Sequence, residues 1–291
     1  MIAVTAASGR LGHAILRHLV DQVGPAQVVA VARTPATVDI AGIDVRAGDY
    51  GDTTQMTAAL AGVSTVVMIS APVVTGTDRI ALHRNVIAAA KAAGVRKLLF
   101  TSVIGGDAEQ DTLFAPTQKV NRQAEADLAS SGLQWVVARN ALYLELDLVH
   151  IRKAQESGVY RNNGGDGRCG YLTIDELAYA TAKLATDEAA NGRIYNLVGE
   201  NLTQADLVAL ACEVFHLNVR YEPLTVEENI ARFMADPRIA ARGAEVAKML
   251  TGCFQCIAQG AFDVESDYAD AAGRAPRSVR EQMEALARAE A

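Results

Sequence analysis

The chain has 291 residues, half of them hydrophobic and 21% charged, with a formal net charge of −7. This is the composition of a soluble globular protein long enough for one α/β domain with an appended subdomain. The acidic balance, with no basic stripe, excludes a general nucleic-acid binder. No run of about eighteen apolar residues offers a membrane span.

The first residues form a short β-branched run at 2–5. It leads into the turn Ala6-Ala7-Ser8-Gly9-Arg10-Leu11-Gly12 and then a helix over 10–23, with Leu11, Ala14, Ile15, Leu16, Leu19 and Val20 on or near one face. Strand, small-residue turn and helix together present bare N–H groups and a helix N-terminus to an anion. Small side chains let a pyrophosphate approach the main chain, and Gly12 lets the helix pack close to its strand. Ala6 occupies the first position of a G-x-x-G-x-x-G spacing. Alanine is costly there if the backbone needs positive φ, and tolerable if only close approach matters. Because the chain opens directly on this strand, no signal peptide is expected, and the cytoplasm is the expected location.

Further strands are predicted at 28–33, 44–47, 65–70, 97–102 and 134–139, with helices at about 53–61, 79–93 and 117–131. Repeated βα units imply a parallel sheet with right-handed crossovers. Runs such as Val28-Val29-Ala30-Val31 suit strands covered on both faces. Asp52 is a good N-cap, and Gly94 and Gly132 are plausible C-caps.

After residue 139 the pattern changes. A helix is predicted at 142–157, followed by an irregular stretch marked by Gly158, Asn162-Asn163-Gly164-Gly165 and Gly167. A helix at 173–186, a strand at 193–198 and a helix from Thr203 with a capping-box pattern follow. A short strand at 219–221, a largely helical 225–262 and a polar helix at 276–290 complete the chain. The expected fold is therefore a Rossmann-like, doubly wound parallel α/β sheet. Its domain covers residues 1–145, with 171–200 returning to it. Residues 146–170 and 201–291 form a smaller, mainly helical substrate subdomain over the carboxyl edge, where open α/β sheets bind ligands.

The residue ending the second strand selects the nucleotide. An acid there accepts from a ribose 2′-hydroxyl, and an arginine meets a 2′-phosphate. Here Val31-Ala32 leads to Arg33, and the next acid is Asp39. A planar guanidinium with paired donors suits a phosphate, so NADPH is the expected cofactor.

Other constellations are weaker. Tyr179-x-x-x-Lys183 matches a dehydrogenase pair but lies well past the sixth strand. The segment where that pair belongs contains no tyrosine, and Lys119 is its nearest base. The five histidines show no metal spacing, and no metal is expected. Cys253-x-x-Cys256 has no second pair, so the four cysteines read as packed thiols. Glu145/Asp147 and Asp175/Glu176 read as solvated or capping acids.

Taken together, the opening turn, Val31-Ala-Arg33, Gly48-Asp-Tyr50, His83-Arg-Asn-Val86, Ala92-Ala-Gly-Val95, Arg139-Asn-Ala-Leu-Tyr143 and Ile194-Tyr-Asn-Leu-Val198 resemble the NmrA-like group of atypical short-chain dehydrogenases. Within it they are most similar to the type 2 NAD(P)H:quinone oxidoreductases and the triphenylmethane reductases. The resemblance implies that Ala6, Ala7, Ser8, Gly9, Arg10 and Leu11 cradle the pyrophosphate and Arg33 the 2′-phosphate. It places Ser70, Ala71 and Pro72 along a ribose and Thr101 and Ser102 below the nicotinamide. Asn140, Ala141 and Tyr143 would flank the nicotinamide, with Tyr143 facing the substrate. Asn121 and Ala126 stand where relatives carry His and Lys, although Glu125 is retained.

The expected activity is NADPH-dependent reduction of a quinone or related conjugated acceptor. Such an acceptor takes hydride directly, so positioning in a dry cleft matters more than a tuned acid. Tyr143 and Lys119 are the side chains nearest to a catalytic role. The other reading is an NADP(H)-binding, redox-sensing regulator without turnover. A homodimer is compatible with either.

Overall fold

The computed structural model describes residues 1–74 and 76–290. The first half alternates strand and helix as expected: β1 (Ile2–Val4), α1 (Arg10–Val23), β2 (Val28–Ala32), β3 (Asp44–Ala47), α2 (Thr53–Ala59), β4 (Thr65–Ile69), α3 (Arg79–Ala92), β5 (Lys97–Val103), α4 (Ala115–Ala129) and β6 (Gln134–Asn140). Asp52 Oδ1 accepts from Gln55 N at 2.9 Å and so caps α2. Gly94 follows α3 with φ of 73°, a left-handed turn in which an L side chain would be strained.

The second half continues with β7 (Leu142–Tyr143), α5 (Leu144–Lys153), β8 (Val159–Asn162), β9 (Arg168–Leu172), α6 (Ile174–Thr186), β10 (Arg193–Leu197), β11 (Asn201–Thr203), α7 (Gln204–Phe215), β12 (Arg220–Pro223), α8 (Val226–Met234), α9 (Pro237–Ala240), α10 (Ala244–Ala258), α11 (Tyr268–Ala272) and α12 (Val279–Glu290). Thr203 and Asp206 form the capping box anticipated for α7.

Seven strands form one parallel sheet in the order β10-β6-β5-β4-β1-β2-β3. Strand order reverses between β1 and β4, so the crevice of this Rossmann-like fold lies at their carboxyl ends. Every residue of β2 is at most 1% exposed. Alternate residues feed two apolar layers. Val4, Val67, Leu99 and Ala138 pack beneath α1 and α6, and Ala3, Val66, Phe100 and Val137 beneath α2, α3 and α4. This two-sided burial explains why the strands read as continuous apolar runs.

The stretch expected to be irregular, 158–167, contains strand β8 and leads directly into β9. Its glycines mark close approaches as well as turns. A Cβ at Gly167 would lie 2.0 Å from Ile257 O, and one at Gly170 2.0 Å from Val198 Cγ1. These strands build two small sheets, β11-β9-β7 and β12-β8.

Two acids read as solvated or capping are buried instead. Glu176, 0% exposed, accepts from Arg274 Nη2 at 2.9 Å and also from Arg277 and Tyr268. The chain end thereby brings two guanidiniums to α6, which is what permits a carboxylate inside. Asp147, 8% exposed, lies under Tyr160, whose hydroxyl donates to it at 3.3 Å. Burial pushes its carboxyl up to about 6.

The loop from β5 to α4 is fastened to α10. Gly106 N donates to Ala261 O at 3.0 Å and Leu113 N to Gln255 Oε1 at 2.9 Å. A Cβ at Gly252 would lie 2.2 Å from Phe114 N. The helical half is thus held against the carboxyl edge of the sheet.

Candidate active site

The opening turn has the geometry that its small residues allow. Ala6 has φ of 49°, in the left-handed region, and its carbonyl accepts from Gly9 N at 3.0 Å. Ala7 N bonds to Val31 O at 3.1 Å, tying the turn to β2. A Cβ on Gly12 would sit 2.7 Å from Ala6 O, so only glycine lets α1 begin this close to the turn. Gly9 N-caps α1 without a side-chain acceptor, and the first helical turn carries no acid. The first amides and the positive end of the helix dipole therefore face outward, toward an anion. Ser8, Gly9 and Arg10 are exposed, whereas Ala7 and Leu11 are buried beneath them.

Arg33 stands just past β2, exposed, with no ion-pair or hydrogen-bond partner among the described residues. Ala32 before it is 1% exposed. The crevice therefore offers a free guanidinium one strand away from the helix N-terminus. This is the arrangement a 2′-phosphorylated dinucleotide requires.

The second wall is the loop after β4. Ala71 is held at both backbone atoms by α3. Its N–H donates to His83 Nε2 at 2.9 Å, and its carbonyl accepts from Arg79 Nε at 2.8 Å. Arg79 Nη2 donates to Ser70 Oγ at 2.9 Å, and Ser70 Oγ donates to Asn121 Oδ1 at 3.0 Å. Ser70 N donates to Thr101 Oγ1 at 3.2 Å. Arg79, 8% exposed, has no carboxylate partner among the described residues, and burial lowers its guanidinium to about 10. His83, 0% exposed, is lowered to about 4 by burial and by Arg79. Accepting from Ala71 N requires a bare Nε2, so the imidazole is neutral with its proton on Nδ1. Pro72 continues this loop on the exposed side.

Tyr50 braces β4 from below. Its hydroxyl donates to Ile69 O at 2.7 Å and contacts Thr5 Oγ1, while Thr5 Oγ1 accepts from Ile69 N at 3.2 Å. Asn85 Nδ2 holds Tyr50 O at 2.9 Å. The sequence motifs around Tyr50 and His83 thus act as braces, a role their spacing did not disclose. Arg79 went unnoticed because only its burial distinguishes it from a solvated helix-start arginine.

At β5, Ser102 Oγ donates to Glu125 Oε1 at 2.6 Å. Arg139 and Arg122 also bind Glu125, each with a contact at 2.6 Å. Burial raises this carboxyl, but Arg139, Arg122 and Ser102 together hold it below the ordinary carboxylate range. Glu125 is therefore an ionised brace for the ends of β5 and β6.

Asn140 closes β6. It is 3% exposed, its carbonyl accepts from Ile104 N at 3.1 Å, and its side-chain amide lies beside the Tyr143 phenol. Ala141 N bonds to Leu197 O at 3.0 Å. Tyr143 is half-buried; burial raises its phenol, the Asn140 side chain opposes this by hydrogen bonding, and Glu145 and Arg10 add smaller opposed effects. Its hydroxyl is therefore protonated near neutral pH. Glu145 Oε1 accepts from Ile174 N at 2.8 Å at the start of α6, beside the Thr173 N-cap, the second of the two roles, solvated or capping, expected of it.

The two lysine candidates lie elsewhere. Lys119 is exposed on α4, whose buried face carries Gln118, Asn121 and Glu125. Tyr179 and Lys183 sit on α6, where the Tyr179 ring packs under Arg274, 4.4 Å from its centroid, and edge-on to His18. That pair is packing. The described residues hold no cluster of metal-ligating side chains. No helix among them is long and apolar enough to cross a membrane.

Comparison with known proteins points to the same class of cofactor. The NAD(P)H-binding family profile matches residues 6–158. Quinone oxidoreductase 2 of Escherichia coli strain K12 is 35% identical over 231 residues, 77% of this chain and 78% of that protein. The structure of the E. coli NADPH-dependent quinone oxidoreductase complexed with NADPH superposes with a TM-score of 0.87 at 30% identity, covering 98% of this chain and 99% of that one. The Citrobacter sp. triphenylmethane reductase complexed with NADP(H) gives 0.86 at 29% identity, with the same coverage. A profile match across more than half the chain, together with a relative of this identity over most of its length, makes the chain a member of the NAD(P)H-binding family.

Proposed function

We propose that the chain is an NADPH-dependent oxidoreductase that reduces a quinone or similarly conjugated acceptor, working in the cytoplasm as a homodimer. The observation that carries the cofactor reading is Arg33, unpaired at the end of β2 beside an uncapped helix N-terminus. NADPH, when bound, supplies the hydride. The N–H groups at residues 8–11 hold its pyrophosphate, Arg33 its 2′-phosphate, and the loop at residues 70–72 a ribose. Asn140, Ala141 and Tyr143 flank the nicotinamide, and the fastened 104–114 loop keeps water from it.

The chemistry follows from what the crevice lacks. No tyrosine there has a lysine beside it to lower its phenol, so ordinary carbonyl reduction has no tuned acid. Tyr143, protonated at neutral pH, can orient an acceptor oxygen by donating a hydrogen bond. A quinone reduced by hydride leaves as a stabilised phenolate that water protonates. The named activities of the relatives, quinone and triphenylmethane-dye reduction, support this reading over a regulator without turnover.

The test is NADPH oxidation, followed by nicotinamide absorbance, with a panel of benzoquinones, naphthoquinones and triphenylmethane dyes. Acceptor-dependent oxidation is expected with at least one class. Tight NADPH binding with no oxidation by any acceptor would overturn the enzyme reading. Light scattering on the purified chain reads the dimer directly.

A further inference from the structure

A second cleft, of about 1030 Å³, opens between the C-terminal half of α5 and helices α8 and α9, against β8. None of its lining residues belongs to the cofactor crevice. One wall is apolar, formed by Val149, Leu224, Phe233 and Ile239.

Most of the charged groups around it are already engaged. Arg161 pairs with Glu222 at 2.8 Å, and Arg238 with Asp236 at 2.9 Å. Glu228 Oε2 accepts from Thr225 N at 2.8 Å in the cap of α8. Arg232, Lys153 and His150 remain, facing Glu156 in the cleft, with the buried Asp147 carboxyl acting on Arg232 from beneath without an ion-pair contact. Burial, then Arg232 and Arg238, lower the His150 imidazole, so near neutral pH it is an uncharged donor and acceptor. Lys153 and Arg232 carry the free positive charge.

Arg232 is aimed by a buried framework. Its Nε donates to Asn229 Oδ1 at 2.8 Å. Asn229, 0% exposed, donates to Asn163, whose Nδ2 reaches Thr251 O at 3.3 Å. The guanidinium carbon lies 4.2 Å from the Phe233 ring centroid. The two outer nitrogens of Arg232 donate to nothing among the described residues, and no carboxylate lies within ion-pair distance of them. A buried amide chain that fixes a guanidinium and leaves its fork open is a prepared anion site. In a chain of net charge −7, anions are not drawn in by the overall field, so recognition at this cleft must be local.

We infer that this cleft binds an organic anion, a carboxylate or phosphate ester carried on an apolar ring. Arg232 and Lys153 meet the charged group, and the wall of Leu224, Phe233 and Ile239 meets the ring. The site is separate from the redox crevice, so its test does not require turnover.

Isothermal titration of the NADPH-saturated protein with naphthyl phosphate, naphthoate and uncharged naphthol reads this binding. Both anions should bind saturably at one site, and naphthol at least about tenfold more weakly, the scale of one charge-assisted contact. Tighter binding of the phosphate or of naphthoate identifies the favoured headgroup. Arg232→Met should weaken anion binding about tenfold or more while leaving naphthol unchanged, and Arg232→Lys, which keeps the charge but lacks the fork and the Nε bond to Asn229, should recover only part of it. NADPH binding in both variants checks that they fold. No saturable binding of either anion, equal binding of naphthol, or an Arg232→Met variant indistinguishable from the parent would each overturn the inference.

Discussion

Replacing Ala6 tests the opening turn directly. At φ of 49° its methyl sits in a region L residues avoid, at a cost of roughly 1–2 kcal/mol. Glycine removes that strain but loosens the unfolded chain, giving back about 0.4–1 kcal/mol. Ala6→Gly should therefore stabilise the protein by about 0.5–1 kcal/mol, the difference of the two effects. Ala6→Val brings a β-branched side chain into the same conformation and should destabilise by at least about 2 kcal/mol. Urea unfolding with unchanged slopes separates these outcomes, because a shift in midpoint alone then reports stability. NADPH affinity should hold or rise in the glycine variant, since the Ala6 carbonyl still accepts from Gly9 N. A glycine variant less stable than the parent, or a valine variant equal to it, would show that the turn is not strained at residue 6.

Arg33→Ala should weaken NADPH by about tenfold to a hundredfold, the worth of a charge-assisted contact, while NADH changes little; equal losses in KM for both nucleotides would refute the role of Arg33. His83→Phe leaves Ala71 N without an acceptor and should cost about 1–3 kcal/mol of stability, together with a higher KM for NADPH; unchanged thermal unfolding and unchanged KM would contradict the brace. Asp147 gives a pH signature. Its folded carboxyl titrates at about 6 against roughly 4 when unfolded, so the folded state binds the proton first. Its burial penalty, up to about 3 kcal/mol at neutral pH, is relieved as pH falls from 7 to 4. Asp147→Asn should therefore stabilise at pH 7 and lose that advantage toward pH 4, and a stability difference constant over this range would contradict the assignment.

The strand and helix alternation was legible because a parallel sheet covered on both faces needs unbroken apolar strands, and β2 and β4 have them. The stretch from 158 to 167 misled because glycine carries two meanings. At Gly165, with φ of 56°, it marks a turn, but at Gly167 it makes room for the Ile257 carbonyl of α10 and at Gly170, inside β9, for the Val198 side chain. The burial of Glu176 was invisible because its partners, Arg274, Arg277 and Tyr268, lie about a hundred positions downstream. Ala6 was the position at which the sequence reading offered two outcomes, and the backbone angle decides between them. The place of Arg33 just past β2 was legible because the apolar run of that strand stops at Ala32. Arg79 and His83 were not, since their function depends on which loop carbonyl and amide they reach.

The crevice divides its work between two kinds of residue. Those facing the proposed nucleotide, Ser8, Gly9, Arg10, Arg33 and Pro72, are exposed. Those holding them, Thr5, Arg79, His83, Asn121 and Glu125, are buried and hydrogen-bonded to strand ends or loop backbone. Substituting an exposed residue removes a contact made only with ligand, so KM should move and unfolding should not. Substituting a buried one leaves a backbone group or charge unpaired in the interior, so both should move together. A protein without a tuned acid depends on that second set, because positioning is then its main lever on rate. Arg33→Ala and His83→Phe fall on opposite sides of the division. If both changed KM while neither changed stability, the buried cluster would be a second set of ligand contacts and the proposed division of labour would fail.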